Sequence, residues 1–272
     1  MNKTHYVLGG NLKKSLTEGA SLDLKQIFKD AFVITRKHYL PLIIACLVTV
    51  AIVATFYTLS LNSLSELSES NQLLINFIFS SVVIAPLVTG LQMMGINHAI
   101  GLKSRSADLF SFFNLILQLA LASMMINIVV YILSVAFSEV LGDIGAKLSI
   151  IVMLYLNMTF CMVYPLIAEK KFSAALAIRL SFKLINKNLL QFTFLFILLF
   201  VLAIIALLPS GLGMFLFIPF YFNIMGIVYR QMCGVGIVAT NLDDDNDSPG
   251  NGPLNNDAQE NTESKNSSEF EA

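Results

Sequence analysis

Long stretches without a charged side chain are the feature that most constrains how this chain folds. Five stretches contain no Asp, Glu, Lys or Arg: His38–Ser65, Ser70–Leu102, Leu109–Ser138, Leu148–Ala168 and Asn188–Tyr229. Each is long enough for a membrane span, because the hydrocarbon core of a bilayer is about 30 Å thick and is crossed by about 20 apolar residues of helix. Only 13% of the 272 residues are charged, whereas soluble domains have about 25%. The sequence therefore excludes a water-soluble globule and predicts an all-α integral membrane protein.

The last of these stretches has room for two helices. Its 42 residues would form a helix about 63 Å long, which is twice the thickness of the membrane. Proline cannot continue a helix and glycine frees the backbone, so Pro209-Ser210-Gly211 is the predicted turn. We therefore expect six transmembrane helices, arranged as three hairpins, in a membrane domain over 21–240. The predicted spans are 40–61, 73–97, 112–138, 148–168, 188–208 and 212–231.

Basic residues are distributed very unevenly among the loops between these spans. Of the 17 Lys and Arg residues, 16 fall in alternate segments on one side and only Lys147 on the other. Loops rich in Lys and Arg stay in the cytoplasm, so both termini are predicted to be cytoplasmic. Residues 1–20 lack the apolar core of a signal peptide. They are predicted to be a flexible cytoplasmic N-terminus before an uncleaved first span.

Two amphipathic segments precede the first and third hairpins. Ser21–His38 and Phe172–Lys187 place apolar residues on one helical face and cations on another. Such helices lie at a membrane surface, with the apolar side in the bilayer and the cations toward anionic headgroups. The predicted headgroup contacts are Lys25, Lys29, Arg36, Arg179, Lys183 and Lys187.

The two amphipathic segments also resemble each other at a fixed spacing. An offset of 150 residues aligns Lys29 with Arg179, Phe32 with Phe182, Ile34 with Leu184 and Lys37 with Lys187. The second spans of the first and third hairpins contain Met94-Gly95-Ile96 and Met225-Gly226-Ile227. The sequence leaves two interpretations open: a true internal repeat of hairpins, or the common pattern of helices that precede membrane spans.

The composition changes abruptly after the last span. Residues 241–272 contain nine acidic residues and one base, Lys265, and are rich in Asn, Ser, Gly and Pro. A segment with so little to bury is predicted to be a disordered acidic cytoplasmic tail. It is either a tether for a basic partner or a solvated tail that an anionic membrane repels.

No residues have the spacing of a catalytic or metal site. The three histidines lie in the N-terminus or at span ends, and the three cysteines suit small buried hydrophobes better than disulfides. Gly-rich phosphate loops and nucleophile elbows are absent from the sequence. We expect a protein that is not an enzyme, with no cofactor, no metal and no nucleic-acid partner. The absence of charge within the spans argues against a proton-coupled transporter.

Prolines and amides inside the spans have two interpretations. Pro86, Pro165 and Pro219 are either gating hinges or ordinary membrane-helix prolines. Asn157 and Asn223 either line a polar cavity or join helices through hydrogen bonds, which is the commoner role of amides in spans.

The stretch Tyr164–Ser181 carries a family resemblance. A proline near the end of a span is followed by Glu169-Lys170-Lys171 and by an alanine-rich amphipathic helix. The pattern resembles the YciC-type inner-membrane proteins of bacteria, over residues 20–235 in layout and 164–190 in detail. It is also similar to the membrane domain that some bacterial glycerophosphodiester phosphodiesterases carry before their catalytic domain, which is absent from this sequence. The resemblance implies a six-span domain in the bacterial cytoplasmic membrane, with no established activity and no catalytic residue to carry over.

Two functions are compatible with these features. The first is a non-enzymatic multi-pass membrane protein of the bacterial inner membrane, in envelope or lipid homeostasis or as an accessory to a membrane complex. Its expected partners are membrane lipids and a membrane protein, and its oligomeric state is not specified. The alternative is a transporter or channel for a neutral or amphiphilic solute, with a pathway between the hairpins.

Overall fold

The computed structural model describes residues 3–63 and 67–240 of the chain. The elements in chain order are β1 (Lys3–Leu8), α1 (Leu12–Thr17), α2 (Leu24–Lys37), α3 (Tyr39–Ser63), α4 (Glu69–Phe79), α5 (Ala85–Ala99), α6 (Ile116–Thr159), α7 (Val163–Lys170), α8 (Ala174–Lys187), α9 (Leu189–Leu207), α10 (Met214–Cys233) and β2 (Val235–Thr240). A π-helical turn, Ser80–Ile84, joins α4 to α5, and two 3-10 turns, Ser106–Phe110 and Phe113–Leu115, precede α6. The predicted acidic tail, 241–272, lies outside the described residues.

Five helical segments of the described chain are long and apolar enough to cross a membrane. They are Tyr39–Ser60, Ser70–Ala99, Ser106–Gly142, Lys147–Lys170 and Leu189–Leu207, and each coincides with one predicted span. α6 contributes to two of them, because Gly142 has non-helical backbone angles (φ 53°, ψ −132°) and divides the helix. The chain is therefore an all-α multi-pass membrane protein.

The sixth predicted span, 212–231, coincides with α10 but is not one of these five segments. Its polar and proline positions, Pro219, Asn223 and Arg230, lower its hydropathy. From Phe222 to Tyr229 every residue of α10 is buried in the protein. α10 is thus mainly a core helix of the bundle.

α5 and α10 form the centre of the fold. They share the most extensive contact between any two helices of the described chain, and α5 is buried along almost its whole length. Gly95 and Gly226 lie at the crossing, where a Cβ on Gly95 would collide with the Phe222 carbonyl and one on Gly226 with the Gly95 carbonyl. The two Met-Gly-Ile sequences therefore permit a close backbone approach of the kind that small residues allow in membranes.

The N-terminal segment, predicted to be flexible, contains β1 and α1 in the structure. β1 pairs antiparallel with β2, from Lys3 opposite Thr240 to Leu8 opposite Val235. Gly10 N then donates to Arg230 O (2.9 Å), and the Ser15 hydroxyl donates to Met232 O (2.8 Å). The N-terminal segment thus contacts β2 and the end of α10. The hydropathy pattern gave no indication of these contacts.

Apolar side chains cover much of the outer surface of α3, α6 and α9. Leu190 is 83% exposed and Leu117 is 77% exposed, and many other large apolar residues on these helices are also exposed. Apolar patches of this extent in soluble proteins mark binding surfaces or aggregation sites. On membrane-crossing helices they are the surface in contact with lipid.

Candidate functional site

All six predicted headgroup contacts lie on exposed positions of α2 and α8. The apolar stripes of these helices face the protein more than the sequence suggested. α2 buries Ile27, Ala31 and Thr35, and the buried residues of α8 are Ala174, Ala177, Ser181, Leu184 and Ile185. The apolar residues that remain exposed include Phe32 (63%) and Phe182 (48%). These two residues are aligned by the 150-residue offset. Each helix therefore has a protein-facing stripe, an exposed aromatic residue and an exposed set of cations.

The backbones of the two amphipathic helices repeat the 150-residue spacing of the sequence. Each helix is 14 residues long, and the N-cap is Asp23 in one and Ser173 in the other. His38 (φ −118°, ψ 29°) and Asn188 (φ −116°, ψ 29°) follow the two helices. The next helix begins one residue later in both places, at Tyr39 and at Leu189. The same break thus separates each amphipathic helix from the span that follows it.

Two amides at the start of α9 hold the segment that leads into α2. Asn188 Oδ1 accepts the backbone N–H of Ala20 (2.7 Å), and Gln191 Oε1 accepts that of Leu22 (3.0 Å). Asn188 Nδ2 also donates to Leu184 O (2.8 Å). These bonds connect the two amphipathic regions directly. Sequence reasoning missed both amides, whose only signal was their position at a span end.

A side chain from a neighbouring helix compensates for the proline inside α10. Pro219 has no N–H to donate to Phe215 O, four residues earlier, and the Tyr39 hydroxyl donates to that carbonyl (3.3 Å). Pro165 is the third residue of α7, in the first turn of the helix, where the missing N–H costs no helical hydrogen bond. Gln92 Nε2 donates to Cys161 O, in the turn before α7 (3.4 Å).

The third proline, Pro86, is the second residue of α5 and comes just after the π-helical turn. At the end of that turn the Ala85 N–H donates to Ser80 O, five residues earlier. Each predicted hinge proline is therefore set in a defined hydrogen-bonding arrangement. This favours fixed bends over hinges.

Asn223 belongs to a buried polar network with two histidines close by. Its Nδ2 donates to Thr35 Oγ1 (2.9 Å), so its Oδ1 is the acceptor for Nδ1 of His98 (3.1 Å). The other ring nitrogen of His98, Nε2, is buried and has no hydrogen-bond partner among the described residues. The rings of His38 and His98 stack with centroids 4.7 Å apart.

The electrostatic surroundings of His38 are unfavourable for the charged imidazolium. Burial lowers the pKa of His38 below its ordinary value, and the charges of Lys37 and Lys103 lower that pKa further. Sequence reasoning placed His38 and His98 at span ends but could not bring them together, because 60 residues separate them. Among the described residues there is no group of three or more His, Cys, Asp or Glu side chains placed to hold a metal ion.

Asn157 and Asn223 do not share a polar cavity. Asn157 lines an apolar cavity of about 620 Å³ between α6, α9 and α10, and Asn223 is not among the lining residues. The Asn157 amide donates to Met153 O in its own helix (2.9 Å). The two predicted cavity residues therefore have separate roles: Asn223 joins α10 to α2 and α5, whereas Asn157 bonds within its own helix.

One carboxylate lies in a partly buried network that the sequence did not indicate. Glu169 accepts hydrogen bonds from the Tyr229 hydroxyl (2.9 Å) and the Gly236 N–H (3.0 Å) and forms an ion pair with Lys170 (3.0 Å). It thereby joins α7, α10 and β2. From the sequence, Glu169 was a loop residue, because the span was predicted to end at residue 168.

Comparison with protein-family models, curated proteins and solved structures finds no match to this chain.

Proposed function

We propose that this chain is a non-enzymatic six-span protein of the bacterial cytoplasmic membrane that binds anionic lipid headgroups through α2 and α8. Its role would be in envelope or lipid homeostasis, or as an accessory to another membrane complex. The observation that carries the proposal is the paired geometry of the two amphipathic helices, each with exposed cations beside an exposed phenylalanine. Cations near an anionic bilayer surface contribute about 1 kcal/mol each.

The pairing of β1 with β2 supports an even number of membrane crossings. The two strands lie before the first apolar helix and after α10, and strands that pair must be on the same side of the membrane. The five apolar helical segments and α10 together would make six membrane crossings, which is an even number. Charge distribution assigns the side: 16 of 17 Lys and Arg residues fall in segments that share it.

Contacts among the helices support an arrangement of three related hairpins. The segment before each hairpin packs on the second span of the hairpin before it in a cyclic order: α2 on α10, Ser106–Phe110 on α5, and α8 on α7. Together with the matched breaks at His38 and Asn188, this favours a true internal repeat. The likeness to YciC-type proteins stays a prediction about family membership.

The alternative hypothesis, a transporter or channel for a neutral solute, receives less support. It was motivated by the prolines in the second span of each hairpin, Pro86, Pro165 and Pro219, and by the amides near them. Asn157 lines an apolar cavity, and Asn223 is occupied by Thr35 and His98. Solute flux in proteoliposomes above that of empty liposomes, lost in Asn157→Leu, would restore this alternative.

Lipid selection tests the proposal directly. A variant with Gln at Lys25, Lys29, Arg36, Arg179, Lys183 and Lys187 is reconstituted into nanodiscs containing phosphatidylglycerol and phosphatidylcholine, and the lipids retained after detergent extraction are measured by mass spectrometry. We expect the preference for phosphatidylglycerol to fall strongly. A matched control replaces Lys13 and Lys14, two exposed cations on α1, and should leave the preference unchanged. Unchanged selectivity in the six-residue variant would contradict the proposal.

A reporter fusion tests the topology separately. A fusion after Ala272 should be active only when the reporter is one that functions in the cytoplasm. Activity of an exclusively extracytoplasmic reporter at that position would contradict the even number of spans or their orientation.

A further inference from the structure

α9 has an apolar groove on each of its two sides, and only one of the grooves contains a cation. The first is the cavity of about 620 Å³ described above, between α6, α9 and α10. The second, of about 610 Å³, lies between α2, α9 and α10. We call them the α6 groove and the α2 groove. Both are within the range of about 300–1,000 Å³ that is usual for small-molecule sites.

The lining of the α2 groove combines small and large apolar residues with one cation. Ala206 and Gly213 lie at the turn from α9 to α10, where a Cβ on Gly213 would meet the Ala206 backbone. Leu202 and Phe220 also line the groove. Its walls are almost entirely apolar, as an acyl chain requires.

The charged residue of the α2 groove lies in the last turn of α2. Arg36 lines the groove there and is exposed, and it makes no ion pair with any carboxylate of the described residues. Its neighbour Thr35 is already engaged by Asn223. The guanidinium of Arg36 is therefore the one charged group at this groove that is available to a ligand. Arginine suits a phosphate, because its planar fork donates two parallel hydrogen bonds.

The α6 groove provides an internal comparison. It is similar in volume and apolar character, but none of its lining residues is charged. A lipid chain that merely fills a gap in the helix packing would occupy both grooves without regard to its headgroup. A lipid selected through its phosphate charge would be enriched at the α2 groove only.

We propose that the α2 groove is a binding site for one anionic glycerophospholipid, with an acyl chain along α9 and α10 and the headgroup phosphate on Arg36. The proposal rests on the proposed function, which has α2 at an anionic membrane surface. It goes further by assigning lipid selection to a single groove and a single cation.

The chain contains no tryptophan, so one introduced tryptophan reports on one groove. Phe220→Trp places the reporter in the α2 groove, and Phe196→Trp places it in the α6 groove; both phenylalanines are half-buried. Each variant is reconstituted in vesicles of phosphatidylcholine with either dibrominated phosphatidylglycerol or dibrominated phosphatidylcholine at equal mole fraction. Bromine quenches tryptophan fluorescence on contact, so the quenching ratio gives the relative affinity for the two lipids.

We expect an anionic preference of about fivefold at Phe220→Trp, which corresponds to one cation near the surface, and none at Phe196→Trp. Adding Arg36→Gln should abolish the preference, whereas Lys37→Gln, at an exposed neighbour that does not line the groove, should retain it. Helical content measured by circular dichroism confirms that each variant is folded.

Equal quenching by both lipids at Phe220→Trp, or a preference that survives Arg36→Gln, would overturn the proposal. That failure is distinguishable from failure of the proposed function. If the groove reporter shows no preference but the six-residue variant still loses phosphatidylglycerol, α2 and α8 select lipid at their surface rather than in this groove.

Discussion

The two amphipathic regions share a backbone but differ in what their side chains contact. α2 and α8 have the same length and are followed by breaks of the same geometry. α2 packs on α10, where Thr35 meets Asn223. α8 packs on α6 and α7, where the Ser181 hydroxyl donates to Thr159 O (2.7 Å). The comparison shows that the repeated feature is the position of each helix before its span, while polar contacts are individual to each copy.

The difference is sharpest at the two breaks. Asn188 joins the two regions through its amide, whereas His38 stacks on His98 and lies beside Lys37 and Lys103. Only the break after α2 therefore contains an ionisable side chain, the imidazole of His38, and burial lowers its pKa. If the repeat is real, the shared positions should respond alike to substitution and the unshared ones should not.

The largest expected effect is at a buried position that both copies share. Ala31 and Ser181 are equivalent at the 150-residue offset, and both are fully buried. Leucine at either position should overpack the interface and destabilise the protein by about 1–3 kcal/mol. The midpoint of thermal unfolding in detergent measures this. A neutral result at one site and a large loss at the other would break the equivalence.

Removal of the amide at the second break should have the next largest effect. Asn188→Ala removes the acceptor of the partly buried Ala20 N–H and the donor to Leu184 O, and the loss of both hydrogen bonds should cost about 1–3 kcal/mol. His38→Ala should cost less, about 0.5–1.5 kcal/mol, because it removes mainly ring stacking. Both variants are compared with wild type by thermal unfolding at about pH 8, where histidine is neutral. A larger loss for His38→Ala would contradict this order.

Lowering the pH should reduce the contribution of the first break, at His38, to the stability of the protein. It should not change the contribution of the second break, at Asn188. The pKa of folded His38 is lowered below 6.5, so the unfolded chain binds a proton at a higher pH than the folded chain does. The contribution of His38 to stability is therefore fully present above the unfolded pKa and is lost as pH falls from about 6.5 through the folded pKa. His38→Asn, which copies the residue at position 188, should reduce the fall in thermal midpoint over this range. If the thermal midpoint of His38→Asn falls as much as that of wild type, His38 does not contribute to the pH dependence of stability.

The smallest expected effect concerns Tyr39, which has no counterpart at Leu189. Tyr39→Phe should cost about 0.5–1.5 kcal/mol, because Phe215 O loses its donor. In a Pro219→Ala background the new backbone N–H can bond to Phe215 O, so the same substitution should cost almost nothing. A double-mutant cycle on thermal unfolding measures the coupling. Equal costs in the two backgrounds would exclude this compensation for the proline.

Much of the fold could be predicted because it depends on local hydropathy and spacing. Five predicted spans coincide with apolar helices, and the 150-residue alignment matches the positions of α2 and α8. α10 was harder to interpret, because a helix buried among other helices can carry Asn223 and Arg230 without contact with lipid. The apolar pattern of such a helix does not distinguish a protein neighbour from a lipid neighbour.

Contacts between distant residues could not be predicted. The pairing of β1 with β2 joins the N-terminal segment to the strand after α10, and the Tyr39 hydroxyl reaches Phe215 across 176 residues. The stacking of His38 on His98 and the Glu169 network likewise depend on tertiary packing. The candidate cations are exposed, and their role in headgroup contact stays a prediction. The grooves on either side of α9 arise only when helices distant in sequence come together.

Lipid selection by the two helices measured separately tests the central claim most directly. One variant carries Gln at Lys25, Lys29 and Arg36, and the other at Arg179, Lys183 and Lys187. Retention of phosphatidylglycerol against phosphatidylcholine is compared in nanodiscs. We expect each variant to lose part of the anionic preference and the α2 variant to lose more, because it also removes the cation of the α2 groove. Wild-type preference in both variants would show that neither helix selects anionic lipid.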